Sequence, residues 1–252
     1  MTTQPELLEL RTADGPFDAW LHGAGSPSAP RPGVVLLADA YGVRPTLQDM
    51  AARLAGLGYV VLLPDVFYRS RGFRPFDIAT VWTDPPERER IMAHIRTLTP
   101  ERVRMDGAAW LDALAARPEV RADRLGATGY CMGGRMAYLT AAFHPDRLRA
   151  AACFHAGGLV TDAPDSPHRL AGQVKCSLHL GVADRDRSCT PEHQGALASA
   201  LGAAGVAYLM ELYRGKLHGF AVPDNAGAYD AEAAARHWAR METFFGEALA
   251  AG

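Results

Sequence analysis

Gly129-Tyr130-Cys131-Met132-Gly133-Gly134 follows the strand-like run Leu125-Gly126-Ala127-Thr128 and leads into a helical segment running towards Phe143. The stretch sets one nucleophilic side chain between small residues at i−2 and i+2, the spacing of a nucleophile elbow with Cys where Ser is usual. Such a turn holds strained backbone, and it brings main chain so close that a Cβ on either flank would collide with it. Glycine at both positions removes the collision.

Two further residues follow in the order that a triad on such an elbow requires. Leu178-His179-Leu180-Gly181-Val182-Ala183-Asp184 reads as a strand ending in an acid, and Leu217-His218-Gly219-Phe220 lies beyond the next strand. Nucleophile, acid and histidine thus occur in sequence on matching elements. Asp184 is the expected acid because the strand ends directly on it. Asp186 is the rival, with the alternative reading of a solvated loop residue beside Arg185 or Arg187.

Outward from this centre the pattern alternates. Residues 6–12 and 17–22 flank Ala13-Asp14-Gly15-Pro16 and read as an antiparallel hairpin. The unbroken apolar runs 33–38 and 59–64 are those of strands buried on both faces. Between them, Thr46 with Asp49 suggests a capping box, and Leu47, Met50, Ala51, Leu54 and Leu57 repeat at helical spacing up to Gly58. Strand, helix and strand imply a parallel crossover. Alternation resumes with a helix at about 101–117, strands at 149–154, 175–181 and 206–213, a helix at 191–204 and a last helix from about Gly227. Residues 69–100, rich in Arg and aromatic side chains, interrupt the rhythm and are expected to pass over the active-site edge.

The chain has 252 residues, 48% of them hydrophobic, and 25 glycines, which fits one α/β domain over 1–252. A formal charge of −2 offers no basic field for a polyanion, so nucleic acid is not expected as a partner. Met1-Thr2-Thr3-Gln4-Pro5-Glu6 lacks the basic and apolar regions of a leader, and no apolar run reaches membrane-spanning length. A cytoplasmic protein without a membrane partner is the expectation. Cys131, Cys153, Cys176 and Cys189 are expected as free thiols. No CxxC, HExxH, GxGxxG or Walker signature occurs, so neither metal nor cofactor is expected.

Taken together, these residues resemble the dienelactone hydrolase family, the carboxymethylenebutenolidases, a cysteine branch of the α/β-hydrolases. The similarity rests on Gly129–Gly134, on Asp39-Ala40-Tyr41-Gly42-Val43, on Pro64-Asp65-Val66-Phe67-Tyr68-Arg69, on Gly181-Val182-Ala183-Asp184 and on His218-Gly219-Phe220. It implies an α/β-hydrolase fold: a mostly parallel central sheet with an antiparallel N-terminal hairpin and helices on both faces. It also implies a small-molecule lactone or activated ester as substrate, cleaved through a thioester. The family's type members carry Glu where Asp39 stands. They carry a substrate-binding Arg four residues after the triad histidine, where this chain has Val222.

In this reading Cys131 is the nucleophile, at a helix N-terminus that favours a thiolate. His218 is the general base and Asp184 its orienting acid. Backbone N–H groups of Ala40 and Met132 form the oxyanion hole. Asp39, Tyr68, Arg69 and His155 are the candidate substrate-facing side chains, with Arg71 and Arg74 as neighbours of Arg69, and Phe76 and Trp82 as possible walls. Acyl transfer on the same triad, and a binding or redox-sensing protein using Cys131 as a reactive thiol, are the alternatives.

Overall fold

A computed structural model describes residues 4–70 and 73–250. Its strands are β1 (Glu6–Thr12), β2 (Gly15–His22), β3 (Arg31–Leu37), β4 (Val60–Pro64), β5 (Val120–Tyr130), β6 (Leu148–Phe154), β7 (Ser177–Ala183) and β8 (Tyr208–Tyr213). The helices are α1 (Pro45–Gly56), α2 (Pro85–Arg96), α3 (Pro100–Ala115), α4 (Met132–Phe143), α5 (Pro191–Ala203) and α6 (Ala231–Ala248). All eight strands join one sheet in the order β1-β2-β4-β3-β5-β6-β7-β8. The β1–β2 and β2–β4 pairs are antiparallel and the remaining pairs are parallel. This is an α/β-hydrolase fold with an antiparallel N-terminal hairpin.

Two cores explain the unbroken apolar strands. Val35 and Leu37 of β3 pack on one face with Trp110, Leu111, Met136 and Leu139 of α3 and α4. Val34 and Leu36 pack on the other with Leu47, Met50 and Leu54 of α1 and with Trp238, Met241 and Phe245 of α6. Period-two alternation sends every side chain into one core or the other, and each fully buried Leu or Val contributes about 1.5–3 kcal/mol.

Helix starts differ from the sequence expectation for local reasons. Helix α1 begins at Pro45 with Arg44 at the N-cap position and no side-chain cap, so Thr46 and Asp49 form no capping box. Proline at N1 starts the helix with its φ already set, and the Arg44 side chain is engaged elsewhere. Helix α6 begins at Ala231, later than Gly227, because the Asp230 carboxylate accepts the Ala233 N–H and fixes the N-cap there.

Strand order turns around at β3: β4 follows it in sequence and lies on one side, while β5 lies on the other. Ligands of such sheets bind beyond the carboxyl ends of the strands at that reversal. Asp39 and Ala40 follow β3, Cys131 follows β5, His155 follows β6, Asp186 follows β7 and His218 follows β8.

Candidate active site

Cys131 occupies the turn between β5 and α4 with φ 56° and ψ −119°, a region that ordinary residues avoid. The flanking glycines make this turn possible. A Cβ on Gly129 would stand 2.3 Å from the Gly133 oxygen, and one on Gly133 would stand 2.2 Å from the Leu37 oxygen. The Cys131 N–H donates to the Phe154 carbonyl at 3.0 Å and to His155 Nδ1 at 3.2 Å, tying the elbow to the end of β6.

His218 Nδ1 lies 2.6 Å from Asp186 Oδ2. Asp186 Oδ1 accepts the Ser188 hydroxyl at 2.6 Å and the Ser188 N–H at 2.8 Å, so the carboxylate is fully engaged and aimed. Burial pushes the Asp186 carboxyl up, but the hydrogen bonds and charge of His218 and Ser188 outweigh it and hold the group below its usual range. For His218 burial disfavours the cation, yet the facing Cys131 thiol and Asp186 together raise its pKa well above the ordinary value. An imidazole bonded through Nδ1 to a carboxylate presents Nε2 to the thiol, the arrangement that moves a proton between them.

The paired acid is therefore Asp186 and not Asp184. Pairing with β8 continues past the end of β7 through Asp184 N–H to Tyr213 O at 3.3 Å and Arg185 N–H to Lys216 O at 3.1 Å. Asp184 is thereby held at the exposed edge. A turn closed by Asp186 N–H to Ala183 O at 3.3 Å then swings Asp186 inward, where it is 5% exposed.

Ala40 and Met132 are both buried and line the cleft beside Cys131. Asp39, 4% exposed, also borders it. Its carboxylate accepts the Tyr41 N–H at 3.1 Å and both terminal nitrogens of Arg44, at 2.7 and 2.9 Å. Arg44 in turn donates to Asp224 at 2.6 and 2.8 Å, so one guanidinium joins the loop after β3 to the loop after His218. Burial pushes the Asp39 carboxyl up against the pull of Arg44 and the Tyr41 N–H.

His155 lies where the sequence suggested, at the cleft, with φ 38° and 1% exposure. Its Nδ1 accepts from Cys131, while Nε2 is buried without a partner among the described residues. Burial and the neighbouring His218 and His237 hold it well below the usual histidine value, so it is a neutral wall.

Tyr68 and Arg69 are not at the cleft. The Tyr68 hydroxyl bonds Thr12 Oγ1 at 2.6 Å and donates to Asp106 at 2.9 Å. Arg69 pairs with Asp106 through two bonds of 2.7 Å and with Asp14 at 2.5 Å. Asp106, on α3, is completely buried, and meeting its charge takes both side chains away from the substrate side. Arg74 is exposed, and Arg71 lies outside the described residues. Trp82 does wall the cleft, its Nε1–H donating to the Tyr41 hydroxyl at 2.7 Å, whereas Phe76 packs beneath in a small core with Val81 and Ile91.

Arg44, Asp224 and Ser188 escaped the sequence reading. Ser188 carries a local signal, since Ser two residues after Asp suits an Asx turn; the link from Arg44 to Asp224 spans 180 positions and has none. The cleft encloses about 980 Å³. Among the described residues no group of three or more His, Cys, Asp or Glu could hold a metal ion, and no helix is long and apolar enough to cross a membrane.

Residues 17–249 match the family model described as "Dienelactone hydrolase family". A carboxymethylenebutenolidase from Rhodococcus opacus is 29% identical over 229 residues, covering 87% of this chain and 82% of its own. The solved structure of a dienelactone hydrolase-like promiscuous phosphotriesterase from metagenomic libraries superposes with a TM-score of 0.75 at 26% identity, covering 98% of this chain and 100% of its own. A crystal structure from Klebsiella pneumoniae reaches 0.81 at 24% identity, covering 96% and 98%, a likeness of fold alone.

Proposed function

The chain belongs to the dienelactone hydrolase family and is a carboxylic-ester or lactone hydrolase, and we propose that it works through Cys131, His218 and Asp186. The observation that carries this assignment is the placement of His218 between the Asp186 carboxylate at 2.6 Å and the Cys131 thiol at the elbow.

His218 takes the Cys131 proton, and the sulfur attacks the substrate carbonyl. The N–H groups of Ala40 and Met132 hold the oxyanion, the second at the start of α4 where the helix dipole adds to it. Collapse expels the alkoxide or enolate, which His218 protonates, and leaves a thioester on Cys131. Water deprotonated by His218 then releases the acid. Asp39 acts as a positioning residue: its carboxylate, clamped by Arg44, holds the Tyr41 N–H and with it the loop that presents Ala40. A thiolate leaves a tetrahedral intermediate more readily than an amine or a poor alkoxide does. Enol lactones and activated esters are therefore the substrate class, and amides are not. All four cysteines are free, which suits a reducing compartment, and the cytosol is the location we assign.

Steady-state hydrolysis of 4-nitrophenyl acetate by wild type and Cys131→Ala tests the reading. Loss of about 10⁴-fold or more in kcat is expected for the variant. Equal rates in the two proteins would remove Cys131 as the nucleophile.

A further inference from the structure

Four arginines, Arg88, Arg135, Arg185 and Arg187, line the cleft, and among the described residues none of them has a carboxylate within 4.0 Å. The acids that share the cleft are already committed, Asp39 to Arg44 and Asp186 to His218. The pocket thus carries positive charge that no described carboxylate meets at ion-pair distance. Arg88, Arg185 and Arg187 are exposed, and solvent screens them; they form a cationic rim.

Arg135 differs from the other three. It is half-buried in the first turn of α4, and its Nε has no hydrogen-bond partner among the described residues. Its Nη2 reaches the Leu98 carbonyl at 3.5 Å, a marginal bond. Burial pulls its pKa down, with Asp165 offsetting that from beyond ion-pair distance. Arginine does not give up its proton in a protein, so the charge stays and calls for an anion from outside.

Its position suits one. Arg135 follows Cys131 by four residues, one helical turn, and long side chains on a helix lean towards its N-terminus, here the nucleophile. A Cβ on Gly158 would touch Arg135 Cδ at 3.7 Å, and one on the adjacent Gly157 would touch His218 Cε1 at 3.8 Å. The guanidinium stem and the imidazole therefore flank the same glycine pair. The fork of a guanidinium matches a carboxylate in two parallel bonds.

We propose that Arg135 is the specificity residue that holds a carboxylate carried by the substrate, so that the enzyme prefers anionic esters or lactones to neutral ones. The inference rests on the hydrolase reading of the same cleft.

The test measures kcat/KM of wild type, Arg135→Met and Arg135→Lys on three esters. These are neutral 4-nitrophenyl acetate, mono-4-nitrophenyl glutarate with its charge on the acyl part, and 4-acetoxybenzoate with its charge on the leaving group. Arg135→Met is expected to lose tenfold or more on at least one anionic ester, chiefly through KM, while the neutral ester stays within threefold. Arg135→Lys is expected to recover part of the loss. A wild-type rate on the anionic ester that falls with salt is the accompanying signature. Equal losses on all three esters, or no loss on any, would overturn the proposal while leaving the Cys131 assignment intact. If wild type hydrolyses none of them, calorimetric titration with glutarate and with benzoate decides: binding that Arg135→Met abolishes supports the site, and absence of binding overturns it.

Discussion

His218 Nδ1 meets Asp186 Oδ2 at 2.6 Å, while Asp184, two residues before Asp186 and just past the end of β7, faces solvent. The strand end supplies the frame and the following turn supplies the acid. Asp186→Asn removes the charge that steadies the imidazolium and fixes its tautomer, and is expected to lower kcat by about 10³ to 10⁴. Asp184→Asn is expected to leave kcat within about twofold, as a surface substitution does. Steady-state kinetics on both variants checks this, and the opposite ranking would return Asp184 to the triad.

A buried histidine outside the triad makes stability depend on pH. His237 is fully buried on α6; its Nδ1 lies 3.2 Å from the Ala234 carbonyl, which can only accept, so Nε2 accepts the Tyr130 hydroxyl at 3.0 Å. Burial pulls its pKa down to about 3. Unfolded, the same ring titrates near ~6.5, so between these values only the unfolded chain binds the proton and stability falls as pH falls. The slope is about 1.4 kcal/mol per pH unit, and it vanishes above the unfolded value. Urea unfolding of wild type and His237→Gln at pH 6, 5 and 4 is expected to show the wild type losing ground at that rate. Parallel curves would exclude the neutral buried ring as the cause.

Arg69 belongs to the scaffold. Arg69→Met leaves the Asp106 carboxylate buried with the Tyr68 hydroxyl as its remaining side-chain donor among the described residues, and stranding a buried charge costs about 3–5 kcal/mol. Thermal unfolding is expected to show that loss. At a temperature where both proteins are folded, kcat on 4-nitrophenyl acetate is expected to stay within about twofold. A selective loss of activity without loss of stability would put Arg69 back among the substrate-binding residues.

Much of this was legible in the chain because it is written locally. Strands buried on both faces need continuous apolar runs, and an elbow needs glycine at 129 and 133, so β3, β4, β5 and the Cys131 turn stand out from periodicity and spacing alone. His218 follows from order along the chain. What stayed hidden depends on partners far away in sequence. Arg69 and Tyr68 look like pocket residues until Asp106, 37 and 38 positions further on, draws them to α3. Asp184 and Asp186 differ only in which way a turn points them, and that is decided by hydrogen bonds to Tyr213 and Lys216. The clamp of Arg44 on Asp39 and Asp224 is closed by tertiary structure and has no local signature.

The central claim is a thioester on Cys131, and rapid quenching of the 4-nitrophenyl acetate reaction followed by peptide mass spectrometry tests it most directly. The account predicts one acetyl group on Cys131, released by hydroxylamine and accumulating further in Asp186→Asn if deacylation slows. Continued turnover with acetyl on another residue, or with none at Cys131 at any time sampled while Cys131→Ala remains active, would contradict it.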